Sequence, residues 1–293
     1  PLVSENLIGT FENDTNLILL QSNENPYGPS PLARKAFVDN VNISNRYNWD
    51  IETQIISDLA KKNSVKDENI MLGAGSTEIL DLVAKFVSIG KGNYVIADPS
   101  YDYWTVTLDN FGLTKNKVPL TTDKKINLQA MLEAVNQDTK LIYICNPNNP
   151  TGTICEREAL VECVTKISQN TIVLIDEAYL DFTKQQSLSN IVNDHKNIII
   201  VKTFSKIYGL AGARIGYAIA NKTIIDNLAN SQSNTNNSVS VLSKLAAIAS
   251  LKDDKFVSNC YLLNENARQY TINELQKLNC ECISSNTNFI YFS

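Results

Sequence analysis

Histidine, paired cysteine motifs and long apolar runs are scarce or missing in this chain. His195 is the one histidine, and none of the six cysteines belongs to a CxxC pair. Zinc sites need clustered histidine and cysteine, and disulfide frameworks occur mainly in small secreted domains, so we expect no metal site and reduced structural thiols. No apolar run approaches the roughly 18 residues of a membrane span. Lys and Arg total 26 against 31 Asp and Glu, which argues against a nucleic-acid partner.

A recognisable export signal is also missing, so the composition predicts a cytoplasmic protein. The chain begins at Pro1 rather than Met, however, and ends in 287–292, which has the pattern of a strand that stops without a partner. We therefore expect residues to be missing at both ends, and an export signal removed upstream of Pro1 stays compatible with the sequence. The 293 residues suffice for one large domain or two smaller ones.

Short β-rich runs alternate with helical patterns along most of the chain. The β-rich runs are 94–97, 141–145, 171–175, 197–203 and 216–220, and the helical patterns are 76–88, 127–135, 156–168, 239–251 and 256–278. The polar stretch 231–238 is predicted to be a loop. This alternation predicts a three-layer α/β/α sandwich with a mostly parallel sheet and a smaller, truncated C-terminal subdomain. We predict an N-terminal arm at 1–40, a large domain at 41–255 and the start of the small subdomain at 256–293.

Lys206 lies in the most informative string of the sequence, 201–214. Thr203 and Ser205 precede it after a predicted strand, and Arg214 follows eight residues later in a glycine-rich turn. A lysine amine binds an aldehyde as a Schiff base, while hydroxyl and guanidinium groups bind phosphate. A phosphorylated aldehyde is therefore the predicted ligand, and pyridoxal 5'-phosphate (PLP) fits that description. No GxGxxG string follows an early strand, which argues against a simple oxidoreductase.

Asp176 and Tyr179 follow the predicted strand 171–175. An aspartate at this strand end can pair with a protonated pyridine nitrogen, and that pairing makes the ring an electron sink. Tyr179 can hydrogen-bond the phenolic oxygen of the ring. An aspartate after a strand is more often a helix cap, so the assignment of Asp176 depends on Lys206.

Three further loops offer groups to the same ligand. The turn 146–153, fixed by two prolines and a glycine, presents the amide of Asn149 at one point. The small residues in 72–78 let backbone amides approach a phosphate at the positive end of a helix. The candidate groups in these loops are the amides of Ala74, Gly75 and Ser76, and Tyr101, whose ring can stack on an aromatic cofactor. Each string alone also fits an ordinary turn, a helix cap or a core tyrosine.

Together these strings resemble the fold-type I, class I/II aminotransferases that use PLP. The string Ser-Asn-Glu-Asn-Pro-Tyr-Gly-Pro-Ser at 22–30 resembles the histidinol-phosphate aminotransferase branch. The resemblance implies that Lys206 moves the proton between the substrate's α-carbon and the cofactor and that Asp176 holds the pyridinium. It also implies that Asn149 and Tyr179 bond the ring oxygen, that Tyr101 stacks on the ring, and that a phosphate cup is formed by Ala74, Gly75, Ser76, Thr203, Ser205 and Arg214.

The resemblance also implies partners and substrates. Tyr47 of one subunit would reach the phosphate bound by its neighbour, which makes a homodimer the expected working unit. Asn25 and Tyr27 would contact the substrate from an N-terminal arm that closes over the site. The substrates would be an amino donor, such as histidinol phosphate or a related amino acid, and a 2-oxo acid such as 2-oxoglutarate.

Two departures from the family pattern leave the substrate open. Asn48, Trp49 and Asp50 stand where the family usually has Pro-Asp-Gly, and the family's carboxylate-binding arginine lies beyond the end of this chain. Arg268 matches no such motif. A decarboxylase resembling threonine-phosphate decarboxylases and a non-catalytic PLP-binding module are therefore the alternatives to a transaminase.

Overall fold

The computed structural model describes residue 18 and residues 20–293. The strands in this part of the chain are β1 Ile70–Gly73, β2 Asn93–Asp98, β3 Thr114–Pro119, β4 Thr139–Cys145, β5 Ile172–Asp176, β6 Ile198–Thr203 and β7 Gly216–Ala220. The helices are α1 Pro31–Asn40, α2 Trp49–Asn63, α3 Gly75–Val87, α4 Val106–Asn110, α5 Leu128–Glu133, α6 Arg157–Ile167, α7 Lys222–Ser231, α8 Val241–Leu251 and α9 Asp254–Lys277. Short 3-10 turns lie at Val41–Ile43, Asp67–Asn69, Tyr103–Thr105, Leu180–Phe182 and Ser189–Asn193.

The seven strands form one sheet in the order β1-β7-β6-β5-β4-β2-β3. Neighbouring strands from β6 across to β3 are parallel, and β7 runs antiparallel to both β6 and β1. Cys145 at the end of β4 pairs with Asp176 at the end of β5, which in turn pairs with Val201 of β6. The carboxyl ends of three parallel strands therefore meet at one edge, the usual place for a ligand in such sheets.

Both faces of the sheet are covered, which explains the nearly continuous apolar runs in its central strands. Along β4, Ile142 and Ile144 pack into one core while Leu141, Tyr143 and Cys145 pack into the other, as the two-residue period of a strand requires. Helices α2, α6 and α8 contribute to the first core, and α3, α4 and α7 contribute to the second. The predicted three-layer α/β/α sandwich with a mostly parallel sheet is confirmed.

The first helix was not predicted from the sequence, where 1–40 was read as an arm. Pro31 opens α1, the Ser30 hydroxyl accepts a hydrogen bond from the amide of Ala33, and the helix packs against α8. Strands β1 and β3 were missed as well. The division into 1–40, 41–255 and 256–293 stays a prediction, and residues 1–17 and 19 lie outside the described part of the chain.

The strand predicted at 287–292 is wrong. Phe292 makes a single antiparallel bridge with Cys282, and the remainder of 287–292 has no strand structure. Side chains interrupt the backbone pairing here, since the hydroxyls of Ser285 and Thr287 take the carbonyl of Phe289 at 2.6 Å and 3.1 Å. Among residue 18 and residues 20–293, no helix is both long and apolar enough to cross a membrane.

Candidate active site

A cavity of about 320 Å³ opens at the carboxyl edge of the parallel strands. Its walls come from the ends of β4, β5 and β6, from the start of α3 and from the segment before α1. The residues that line it are Ser22, Glu24, Ser76, Thr77, Tyr101, Cys145, Asn149, Asp176, Ala178, Tyr179, Thr203, Ser205, Lys206, Ala211, Gly212 and Arg214. Nine of the residues predicted to bind the cofactor therefore line this one cavity.

Lys206 projects its amine into this cavity. The Nζ atom donates a hydrogen bond of 3.0 Å to the carbonyl of Ser22 and lies 5.3 Å from the ring centroid of Tyr179. Burial lowers the pKa of Lys206 below its usual value, although the negative charge of Asp176 opposes this. The lysine is therefore a stronger candidate for a neutral, nucleophilic amine than an exposed lysine is.

Asp176 lies at the closed end of the cavity with only 2% of its surface exposed. One carboxylate oxygen, Oδ1, accepts the amide hydrogen of Ala178 at 3.0 Å, and the other, Oδ2, accepts the hydroxyl of Tyr143 at 3.0 Å. Burial raises the pKa of Asp176 to about 6, and these two hydrogen bonds oppose the rise. Above that pH the buried carboxylate is an acceptor for a cationic ring nitrogen.

Tyr179 is buried and faces the cavity beside the lysine. Its hydroxyl accepts a hydrogen bond of 3.3 Å from the amide of Asn23, and its ring meets Phe289 edge-on at 5.0 Å. Burial raises the pKa of Tyr179 above its usual value, so the phenol keeps its proton. The amide of Asn288 donates to the carbonyls of Asn23 and Glu24 at 3.0 Å and 3.2 Å, which holds the N-terminal segment over the cavity.

The other end of the cavity is built to hold an anion. The hydroxyls of Thr203 and Ser205 lie 3.0 Å apart, and Arg214 reaches Ser205 Oγ at 3.5 Å and the carbonyl of Ala74 at 3.3 Å. Gly75 begins α3 with φ of +78°, and a Cβ atom there would lie 2.2 Å from the Arg214 guanidinium. The close packing of glycine, arginine and a helix N-terminus fits a phosphate group.

The turn 146–153 shows why Asn149 and not its neighbours faces the cavity. The side-chain oxygen of Asn146 accepts the amide of Cys155 at 2.8 Å. Asn148 is tied on both sides, since it donates to the carbonyl of Pro99 at 3.2 Å and accepts from the hydroxyl of Ser100 at 2.8 Å. These bonds fix the turn, and Asn149 lies at the cavity wall.

Five predicted site residues lie outside the cavity wall. Ala74 and Gly75 adjoin it through Arg214, whereas Asn25 turns away and donates to the carbonyl of Ile207 at 2.8 Å and to Cys260 Sγ at 3.4 Å. Tyr27 is 46% exposed. Tyr47 is 77% exposed and stacks on Trp49 with ring centroids 6.1 Å apart. The substrate roles predicted for Asn25 and Tyr27 and the role of Tyr47 stay predictions.

Sequence reasoning missed several residues of the site. Ser22 and Glu24 belong to the string 22–30 already noted, and Thr77 directly follows Ser76 in the first turn of α3, so adjacency was the available signal. Tyr143 could have been found from strand alternation, because it shares a face of β4 with Cys145, whose neighbour across the sheet is Asp176. Arg268 donates to the carbonyl of Thr287 at 2.8 Å and is not at the cavity wall.

A lysine with a lowered pKa, a buried carboxylate and an anion cradle at one edge of an α/β/α sheet define a fold-type I PLP enzyme. The chain belongs to the aminotransferase class I and II family, whose sequence model matches residues 15–293. It is therefore a PLP-dependent transaminase, and a non-catalytic module is set aside.

The chain is similar to known aminotransferases, and the similarity covers most of the length of each of them. A histidinol-phosphate aminotransferase from Moorella thermoacetica is 35% identical over 280 residues, covering 94% of this chain and 72% of that protein. An aromatic amino acid aminotransferase from Cutibacterium acnes is 32% identical over 282 residues, 95% of this chain and 79% of that protein. The histidinol-phosphate aminotransferase from Sinorhizobium meliloti, solved with pyridoxal-5'-phosphate, superposes with a TM-score of 0.85 at 27% identity, covering 92% of this chain and 74% of that one.

The decarboxylase alternative has weaker support. The L-threonine-O-3-phosphate decarboxylase from Porphyromonas gingivalis superposes with a TM-score of 0.77 at 24% identity, over 90% of this chain and 78% of that one. A likeness at this identity shows a shared fold. The chain therefore resembles the histidinol-phosphate aminotransferase branch of the class I and II family.

Proposed function

We propose that this enzyme transfers the amino group of histidinol phosphate, or of a closely related amine, to a 2-oxo acid such as 2-oxoglutarate. The observation that carries the proposal is the 35% identity to a histidinol-phosphate aminotransferase over 94% of the chain. The N-terminal segment that resembles this branch supports it, because Ser22 and Glu24 line the cavity beside Lys206. A cytoplasmic location stays part of the proposal.

We assign the cofactor contacts that the resemblance implies, and most of these residues line the cavity. Thr203, Ser205, Arg214 and the amides of Ala74 to Ser76 would hold the phosphate, Tyr101 would lie against the ring, and Asn149 and Tyr179 would bond the ring oxygen. Asp176 would pair with the protonated pyridine nitrogen. Bound PLP supplies an electron sink that stabilises negative charge at the substrate's α-carbon.

Lys206 is the proposed proton carrier. Its Nζ atom would take the proton from the substrate's α-carbon and return it at C4′ of the bound cofactor, so one group would serve as base and then as acid. The lowered pKa of Lys206 favours this role, because a neutral amine is present at a lower pH than for an exposed lysine. The segment held by Asn288 lies against the lysine, whose Nζ atom donates to the carbonyl of Ser22.

A donor screen on the PLP-loaded enzyme tests the function. Histidinol phosphate without an acceptor should shift the absorbance of the bound cofactor, and 2-oxoglutarate should restore it. Lys206→Ala should slow this half-reaction by about 10²-fold to 10⁴-fold, the usual contribution of a general base. L-histidinol and L-phenylalanine are the comparison donors. If they convert the cofactor and histidinol phosphate does not, the donor assignment is wrong; carbon dioxide release without an acceptor would indicate decarboxylation.

We also propose that the working unit is a homodimer in which Tyr47 reaches the phosphate cup of the partner subunit. The support is the exposure of Tyr47 and Trp49 as a stacked pair, neither of which lines the cavity of its own subunit. Tyr47→Phe should weaken PLP binding while sedimentation still shows a dimer. Tyr270→Phe, at a tyrosine on α9 that is 67% exposed, is the control and should leave PLP binding unchanged. A monomer in sedimentation would contradict the proposal.

A further inference from the structure

Tyr143 is a buried tyrosine that contacts Asp176 without lining the cavity. It lies on β4 with 0% of its surface exposed, and its hydroxyl donates to Oδ2 of Asp176 at 3.0 Å. Since the amide of Ala178 occupies Oδ1, both oxygens of Asp176 are held by donors on different strands and loops. The carboxylate therefore has one orientation in the cavity.

The ring of Tyr143 is itself held in place. Trp104, which is 3% exposed, meets it edge-on with ring centroids 5.0 Å apart and an interplanar angle of 65°. Burial raises the pKa of Tyr143 well above its usual value, so the hydroxyl keeps its proton and remains a donor at every working pH. Tyr143 does not belong to the cavity wall, and any effect on the cofactor must pass through Asp176.

We propose that Tyr143 is a positioning residue: its hydrogen bond keeps the Asp176 carboxylate ionised and aimed at the ring nitrogen of the bound cofactor. The proposal rests on the proposed role of Asp176. Without the hydroxyl, one oxygen of a buried carboxylate would lose its donor, and the neutral acid would be favoured. A neutral acid cannot pair with a protonated pyridine nitrogen, so cofactor binding would weaken as the pH falls.

Other titratable groups also surround Asp176 and set the background for its pKa. They are Cys145 of β4, Glu177 and Tyr179 after β5, Lys206 after β6 and Tyr101 after β2. Lys206 lowers the pKa of Asp176 and Glu177 raises it. None of these side chains changes in Tyr143→Phe, so a shift in that variant reports the lost hydroxyl.

The test measures the Asp176 carboxyl directly. The full chain, freed of PLP and labelled with ¹³C at the aspartate carboxyl carbons, is titrated by NMR, with Asp176→Asn to assign the signal. Tyr143→Phe should raise the pKa of Asp176 by about one to two pH units, since a hydrogen bond to a charged group contributes about that much. Tyr94→Phe is the matched control, because Tyr94 is equally buried in the same core and its hydroxyl donates to Asp109.

The second measurement is the dissociation constant of PLP between pH 5 and pH 9. We expect Tyr143→Phe to lose affinity at a pH about one to two units higher than the parent and the Tyr94→Phe control. An unchanged pKa of Asp176 overturns the proposal, as does a changed pKa with an unchanged pH dependence of PLP binding. A thermal melt close to that of the control excludes loss of fold as the cause. Neither measurement uses an amino donor, so a wrong donor assignment would leave this result intact.

Discussion

Gly75 offers the sharpest test of the phosphate cradle. Its φ of +78° lies in the left-handed region, and the Cβ atom of an alanine would lie 2.2 Å from Nη2 of Arg214 and 2.9 Å from Cζ. Both contacts are shorter than atoms tolerate, so the guanidinium must leave its place beside Ser205. Arg214 is an exposed, flexible side chain and can move, which means that the fold survives while the cradle loses its cation.

Two separable costs follow for Gly75→Ala. The left-handed backbone costs about 1 to 2 kcal/mol of stability for a residue other than glycine. The displaced arginine loses charge-assisted hydrogen bonds to the phosphate, worth about 1.5 to 3 kcal/mol, so PLP affinity should fall by about 10-fold to 100-fold. Gly112→Ala is the control, because Gly112 has φ of +85° and nothing within 4 Å of the added atom.

The assay combines urea unfolding of the PLP-free proteins with PLP titrations followed by absorbance. Both variants should lose a similar amount of stability, and only Gly75→Ala should lose PLP affinity. If Gly75→Ala binds PLP as tightly as the parent, Arg214 does not hold the phosphate. Equal loss of affinity in both variants would show that backbone strain alone explains the effect.

Two further predictions concern buried charges. Burial raises the pKa of Asp176 from 3.8 to about 6, so its contribution to stability is present at low pH and is lost as the pH rises through that range. Asp176→Asn should therefore stabilise the PLP-free protein at pH 7.5 by about 3 kcal/mol in urea unfolding, and an equal gain at pH 4 would contradict this. Glu177→Gln should cost up to about 3 kcal/mol, because it leaves the buried amine of Lys202, 3.1 Å from Glu177, with Asp181 at 4.0 Å as its remaining charged partner. Asp226→Asn, which breaks the exposed pair with Lys222, is the control and should cost less than about 0.5 kcal/mol.

Local patterns predicted the central strands of the sheet and the strings whose residues line the cavity at its edge. Strands β4, β5 and β6 are largely apolar on both faces, so each appears in the sequence as a nearly continuous apolar run. The residues with candidate catalytic or binding side chains follow each run within a few positions. Lys206, Asp176 and Asn149 could therefore be located before their distances were known. Strand β3, Thr114–Pro119, was missed because it lies at the edge of the sheet and is largely polar.

Contacts between distant segments were out of reach of the same reasoning. The bond from Lys206 to the carbonyl of Ser22 and the bond from Asn25 to the carbonyl of Ile207 join residues more than 180 positions apart. From the sequence, Tyr143 looks like one more core residue of β4. Its hydrogen bond to Asp176 can be inferred only when the register between β4 and β5 is known. The 287–292 error has a similar origin, since strand propensity does not reveal that the hydroxyls of Ser285 and Thr287 take the carbonyl of Phe289.

The tie between Asn288 and the carbonyls of Asn23 and Glu24 also has a consequence during synthesis. The N-terminal segment leaves the ribosome first, yet the side chain that makes this tie is added some 265 residues later. At roughly 5 to 20 residues per second, the partly made chain lacks the tie for at least several seconds after residue 206 has been added. Until then the segment can be held near Lys206 only by its other bonds, such as the one from Lys206 to Ser22 and the one from Asn25 to Ile207.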